Sequence, residues 1–190
     1  MTLELGRRLR LVGERRAKPN PEGVDLVLAP GAFGSGEHET TASCLEILES
    51  LPLGAARVLD VGCGTGVLAI AALLLGAREA VAFDVAPGAA ATARRNARAN
   101  GVSAACRVVC GEMACLRPGR FDAVLANVQS DVLLALAPFV TVCAAPGGTI
   151  LLSGILWETV ADVRDCYVRL GCAHIRTRML DEYATVLLRR

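Results

Sequence analysis

The chain is poor in aromatic side chains, which make up 4% of its 190 residues. Stacking platforms for unpaired bases depend on such rings, so their scarcity argues against single-strand nucleic-acid binding. Excess charge is missing too. A formal net charge of +1 gives no electrostatic reason for a nucleic-acid or membrane-surface partner. No apolar run approaches the ~20 residues that span a bilayer. The start, Met1-Thr2-Leu3-Glu4-Leu5-Gly6-Arg7-Arg8, has no signal-peptide core. A cytoplasmic protein with no membrane partner is therefore expected. Eight cysteines are present, yet no Cys-x-x-Cys occurs, and Cys106, Cys110 and Cys115 are spaced more widely than a zinc knuckle. Cys44, Cys143, Cys166 and Cys172 fall in apolar or helical contexts. The cysteines read as small buried hydrophobes in a reducing compartment, and no metal is expected.

Hydrophobic residues are plentiful at 53%, enough for a large core in one domain. The chain is organised around Val58–Val67, Val-Leu-Asp-Val-Gly-Cys-Gly-Thr-Gly-Val. Val58 to Val61 reads as a buried strand, Gly62 to Gly66 as a glycine turn, and Val67 to Leu75 as a buried helix. Glycines allow close backbone approach and positive φ, and a helix N-terminus offers unpaired N–H groups. A dinucleotide fingerprint needs Gly-x-Gly-x-x-Gly. Gly62 and Gly64 fit, but Val67 stands at the third position, so the pyrophosphate version fails. The Asp60-x-Gly62-x-Gly64-x-Gly66 form instead resembles motif I of class I S-adenosylmethionine (AdoMet) methyltransferases. Asp84 closes the next strand, Ala80–Phe83, twenty-two residues beyond Gly62. That is where a Rossmann-like nucleoside site places its ribose carboxylate.

The rest of the chain alternates strand and helix. Leu3–Val12 and Val24–Leu28 show strand alternation and are expected to pair as a hairpin, an N-terminal extension over residues 1–28. Residues 29–190 are expected to form the catalytic domain. A glycine-rich loop, Ala29 to Thr41, leads into a helix over Thr40–Leu51. Later helices are expected over Pro87–Asn100, Asp131–Cys143 (kinked or broken at Pro138) and Trp157–Leu170. Strands are expected at Arg107–Cys110, Phe121–Ala126, Thr149–Ser153, Cys172–Met179 and Tyr183–Leu188, with a turn at Pro146-Gly147-Gly148. Alternation of this kind predicts a doubly wound parallel sheet. The last two strands have no helix between them and must form an antiparallel hairpin. The fold class is α/β: a Rossmann-like seven-stranded sheet, mostly parallel.

One run narrows the family. Ala32-Phe33-Gly34-Ser35-Gly36-Glu37-His38-Glu39-Thr40-Thr41 resembles the Ala-Phe-Gly-Thr-Gly-x-His-x-Thr-Thr signature of the PrmA family, methyltransferases of a large-subunit ribosomal protein. Leu59–Gly66, Asn96–Gly101, Ala126-Asn127-Val128, Leu136-Ala137-Pro138, Pro146-Gly147-Gly148 and Ser153–Leu156 match in the same order, over residues 24 to 190. The resemblance implies AdoMet contacts at Thr41, Gly62, Asp84 and Asn127, with Phe33 and Gly34 of the signature beside them. With Asp60, Gly64 and Gly66 of the glycine loop, and Glu112 where such enzymes hold the adenine amino group, these form the expected cofactor-binding set. Family members also carry an N-terminal docking domain, expected to be absent here. After Asn127 the family continues Ile-Leu-Ala, whereas this chain has Val128-Gln129-Ser130-Asp131, so a different acceptor pocket is expected.

Asn127 and His38 are the catalytic candidates. Asn127 ends a strand at the carboxyl edge, where doubly wound sheets bind ligands. It could accept a hydrogen bond from an acceptor amine, or serve as a turn residue that touches only the cofactor. His38 could act as a base or order its loop. Glu37 and Glu39 could meet a cationic substrate or stand as solvated charges. Asp131 reads as a helix cap, Trp157 as core or pocket wall, and His174 as structural. The expectation is an AdoMet-dependent enzyme that N-methylates a protein or peptide at lysine or an N-terminal amine. The alternatives are a small-molecule or natural-product methyltransferase and a silent AdoMet-fold partner subunit. The intact Asp60, Gly62, Gly64, Gly66 and Asp84 set speaks against the last.

Overall fold

The computed structural model describes residues 2–4, 8–12, 23–28, 38–112 and 119–190. The main sheet has seven strands: β4 (Arg57–Val61), β5 (Glu79–Asp84), β6 (Cys106–Cys110), β7 (Phe121–Asn127), β8 (Ala144–Leu156), β9 (Ala173–Met179) and β10 (Tyr183–Arg189). Their order is β6-β5-β4-β7-β8-β10-β9. The pairs from β6 through β8 are parallel, and β10 runs antiparallel to both β8 and β9. The seven-stranded sheet with its C-terminal hairpin is thus as expected. From β4 the chain winds outward to β6, then returns to the other side of β4 at β7. That reversal puts a topological switch point, where such sheets bind ligands, between the carboxyl ends of β4 and β7.

Two cores sandwich the sheet, and strand alternation decides which residue joins which. Val58, Leu125 and Leu151 face one side and pack with α1 (Glu39–Leu48), α2 (Val67–Leu74) and α3 (Pro87–Ala99). Leu59, Val124, Ile150 and Leu152 face the other, against α4 (Ser130–Cys143) and α5 (Val160–Arg169). α2 is apolar on every side, Val-Leu-Ala-Ile-Ala-Ala-Leu-Leu, because it lies buried between neighbours rather than at a surface. Within the second core, the fully buried Tyr167 hydroxyl donates to the Leu133 carbonyl at 3.1 Å.

The N-terminal strands depart from the expected hairpin. β1 (Thr2–Glu4) is antiparallel to β2 (Leu9–Val12), but β2 runs parallel to β3 (Val24–Val27). Parallel neighbours need a crossover, so Leu3–Val12 and Val24–Leu28 are not two arms of one hairpin. Leu9, Leu26 and Leu28 are buried in the α1–α3 core. Side chains also pin these strands to the main unit. The Glu49 carboxylate accepts from the backbone of Arg8 and Leu9 at 2.9 and 2.6 Å. Asn100 acts as a false strand residue: it accepts from Val27 N–H at 2.8 Å and donates to Val27 C=O at 2.7 Å.

Other differences are local. α4 continues through Pro138 without a break. Pro146-Gly147-Gly148 is not a turn between elements but an outward bulge within β8. The partners of Phe121 and Ala123 there are Ala144 and Thr149, so the intervening β8 residues loop out of register. Residues Trp157–Thr159 form a 3₁₀ turn ahead of α5 rather than its first α-helical turn. Cys44, Cys63, Cys106, Cys143 and Cys172 are buried, and burial pushes the Cys44 thiol up to about 12 and Cys106 to about 11. Cys110 departs from the buried reading, since it is exposed, and Cys166 is half-buried. Cys115 lies outside the described residues. Among the described residues no helix is long and apolar enough to cross a membrane, and no His/Cys/Asp/Glu group is arranged to hold a metal ion.

Candidate active site

Beyond β4 the chain turns sharply through three glycines. Two of them have identifiable reasons. Gly62 has φ +68°, and a Cβ there would sit 2.4 Å from Val128 Cγ1. The residue after Asn127 therefore presses directly on the glycine loop. Gly66, with φ +78°, caps α2, and its Cβ would meet the Ala93 Cβ at 3.0 Å, so it sets how closely α3 packs. The loop is held from outside. Cys63 N–H donates to the Phe83 carbonyl at 2.9 Å, and the buried Asn96 amide donates to the Thr65 carbonyl at 2.9 Å. The Asn96–Gly101 match thus has a physical role at each end: Asn96 steadies the loop and Asn100 holds β3.

The shape of this contact yields a stability prediction. Gly62→Ala is expected to lower stability by about 2–4 kcal/mol, from left-handed backbone strain plus overpacking. Adding Val128→Ala should recover the overpacking part and leave the strain, giving a coupling of about 1 kcal/mol or more in a urea-denaturation cycle. Simple additivity would contradict the contact. Gly154 behaves differently. At φ +75° its Cβ would lie 2.7 Å from the Val128 carbonyl oxygen, a backbone atom that side-chain trimming does not move.

Asp60 is 1% exposed at the end of β4, and its Oδ2 accepts from Ala69 N–H of α2 at 3.1 Å. Burial pushes this carboxyl up to about 7, against the Ala69 hydrogen bond and helped by the nearby Asp84 charge. An acid raised above its unfolded value binds more protons when folded. Its contribution to stability is then full below the unfolded value and is lost as pH rises through about 7. Asp60→Asn removes that titration. The wild type should lose stability relative to Asp60→Asn between pH 5 and 8 in paired thermal melts, and a constant difference would contradict it.

Asp84 ends β5 and is engaged at both oxygens. Oδ2 accepts from Gly64 N–H at 2.9 Å and Oδ1 from Ala86 N–H at 2.8 Å. It thereby orders the glycine loop and the entry to α3 together. Glu112, just past β6, is exposed, and the preceding residue ties in through Gly111 N–H to the Asp84 carbonyl at 3.1 Å.

Across the switch point stand Asn127, Thr41 and His38. The Asn127 Nδ2 donates to the Thr41 hydroxyl oxygen at 3.3 Å. That contact sets the amide so that Oδ1 remains as an acceptor. Thr41 lies in α1 and is buried, which fixes the hydroxyl. His38 caps α1: Nδ1 accepts from Thr40 N–H at 3.4 Å and lies 2.8 Å from the Thr40 hydroxyl. His38, Thr41, Gly62, Gly64, Asn127 and Tyr183 line one cavity, with Asp60 at its floor. Asp84 and Glu112 stand outside that cavity, along the β5–β6 side. Phe33, Gly34 and Glu37 lie outside the described residues.

Some features escape sequence reading. Tyr183 packs edge-on against His38, with ring centres 5.2 Å apart. No local motif marks it, although it is one of only two tyrosines in the chain. Gln129 and Gly154 also line the cavity. Asp131 is not the cap of α4, since Gln129 occupies that position and Asp131 falls in the first turn. The Glu39 carboxylate accepts from Asp181 and Glu182 N–H at 3.2 and 3.4 Å and so holds the β9–β10 turn.

Comparison with known proteins places the chain in a family. A family model described as ribosomal protein L11 methyltransferase (PrmA) covers residues 2–190. The chain belongs to the PrmA family. The ribosomal protein L11 methyltransferase of Pseudomonas paraeruginosa is 46% identical over 166 residues, 87% of this chain and 56% of that protein. That of Chromohalobacter salexigens is 46% identical over 172 residues, 89% of this chain and 56% of the relative. The chain thus spans about half the length of the curated PrmA relatives it matches. A crystal structure of a ribosomal protein L11 methylase from Lactobacillus delbrueckii subsp. bulgaricus superposes with TM-score 0.91 at 26% identity, covering 100% of this chain and 98% of that one. An RNA methyltransferase from Salinibacter ruber, solved with S-adenosyl-L-homocysteine, shares the fold at TM-score 0.61 and 19% identity, over 75% of this chain and 86% of that one.

Proposed function

We propose that this chain is an AdoMet-dependent methyltransferase that acts on a nitrogen of a protein or peptide, a lysine or an N-terminal amine. The observation that carries the reading is the Asn127–Thr41 pair, which faces the glycine loop across one cavity at the switch point. The PrmA relatives, named as ribosomal protein L11 methyltransferases, support a protein acceptor. The residues present suit the cofactor. Gly62 and Gly64 present no side chain to it. Each Asp84 oxygen, after accepting one backbone N–H, retains a lone pair for a ribose hydroxyl. Glu112 is assigned to the adenine amino group. Asp60 and Gly66 act behind this surface, ordering the loop and α2.

AdoMet, when bound, supplies an electrophilic methyl group on a sulfonium. The chain supplies position. An amine must be neutral to attack, and its lone pair must point at the methyl carbon. The Asn127 Oδ1 accepts one amine N–H and so aims the lone pair, while Thr41 keeps the amide from rotating. His38 is a positioning residue: it starts α1, which carries Thr41, and its ring walls the cavity with Tyr183. Calorimetry with AdoMet and with S-adenosylhomocysteine tests the reading. Saturable binding of both is the expected result, and no binding of either would overturn it.

A further inference from the structure

The rim of the cavity carries an apolar step that the fold leaves open. Leu156 is 45% exposed and Trp157 58% exposed, at the end of β8. Leu156 pairs directly opposite Tyr183, and residues directly opposite in an antiparallel ladder share one face. Tyr183 lines the cavity, so the step begins at the cavity wall and leads away from it. The backbone beneath it is tied down. Trp157 N–H donates to the Glu182 carbonyl at 3.2 Å, and the Thr159 hydroxyl lies 2.7 Å from that of Ser130. Glu39 holds the adjoining 181–182 turn from α1. A tryptophan this exposed on a fixed backbone, in a chain with one tryptophan in all, has no packing role to explain it.

Charge identifies the occupant. The three stretches that meet here are residues 128–132, 154–163 and 180–184. They hold no lysine or arginine, and they hold Asp131, Glu158, Asp162, Asp181 and Glu182, all exposed. None of these five carboxylates has an ion-pair partner among the described residues. The nearest arginines in sequence are committed elsewhere, Arg164 to Asp165 and Arg178 to Glu46. A lysine or arginine side chain lays an apolar stem on aliphatic surface, places its cation over an indole face and meets carboxylates beyond it.

We propose that Leu156 and Trp157, rimmed by these carboxylates, form a docking ledge for an extended cationic peptide segment flanking the methyl acceptor. The ledge lies outside the transfer cavity and selects the chain around the accepting nitrogen rather than the nitrogen itself. The inference rests on the proposed peptide-methylating function, but its test does not depend on turnover.

The test is a titration of the full chain, with AdoMet and without, by a short unstructured lysine–glycine peptide, read by Trp157 emission. A saturable blue shift or quench that weakens with added salt is expected, and a glutamate–glycine peptide of equal length should leave the emission unchanged. In methylation assays with the same peptide, Trp157→Ala should raise KM by about tenfold, with Trp157→Phe nearer wild type. The double charge reversal Glu158→Lys/Glu182→Lys should raise it similarly. The calorimetric affinity for AdoMet should stay as in the wild type in all three. Emission that ignores saturating lysine–glycine peptide would overturn the ledge, as would an unchanged KM in Trp157→Ala with AdoMet binding intact. Loss of AdoMet binding in the wild type would instead strike the methyltransferase reading, leaving the emission titration to judge the ledge.

Discussion

Asp84→Ala is expected to raise the Kd for AdoMet by at least about 100-fold. If Asp84 accepts one hydrogen bond from each ribose hydroxyl, as proposed, the two together would contribute about 3–6 kcal/mol, and 1.4 kcal/mol is tenfold in affinity. The substitution also frees Gly64 N–H and Ala86 N–H, which Asp84 satisfies at 2.9 and 2.8 Å. The glycine loop then loses its outer tether, which adds to the loss by removing preorganisation. Asp84→Asn should fare little better, because its amide NH₂ must face one of those two donors. Calorimetry checks the affinity, and circular dichroism checks that both variants keep the fold. An unchanged Kd in a folded Asp84→Ala protein would contradict the ribose assignment.

Asn127→Ala is expected to separate binding from transfer. Its side chain touches Thr41 and lines the cavity, but it holds neither the glycine loop nor Asp84. The AdoMet Kd should therefore change by no more than a few-fold. The rate of methyl transfer at saturating AdoMet should fall by about 100-fold, the penalty for an acceptor held in the wrong orientation. Thr41→Val should fall less far, since it loosens the amide without removing it. Single-turnover transfer on the same peptide measures both. If binding and transfer fall in parallel in Asn127→Ala, the residue serves only the cofactor.

How much of this was legible beforehand follows from the range of each interaction. Motif I, Asp84 and the alternating elements are written in short windows: a buried strand, glycines at fixed spacing, a helix, the next strand. Local chemistry dictates them, so the seven-stranded sheet reads correctly and the glycine loop and Asp84 fall at the carboxyl ends of β4 and β5 as expected. The parallel pairing of β2 with β3 was hidden because strand alternation is the same for either direction. Pro138 stays within α4 because packing against the second core outweighs one lost backbone hydrogen bond. The remaining omissions are contacts between residues distant in sequence. Asn100 completes β3, Asn96 holds Thr65, and Tyr183 reaches His38 only because the last strand returns antiparallel beside β8. His38 itself was visible, but its role as the cap of α1 depends on where the helix begins. Trp157 was open to either a core or a wall reading, and only its exposure made the ledge visible.

The measurement that bears most directly on the central claim is transfer of labelled methyl from AdoMet by the purified chain into a bacterial lysate resolved by size. The label should enter the macromolecular fraction, be lost on protease treatment, and be recovered on lysine or an N-terminal amine after hydrolysis. Label confined to the low-mass fraction, or no label above the level of the Asn127→Ala protein, would contradict it.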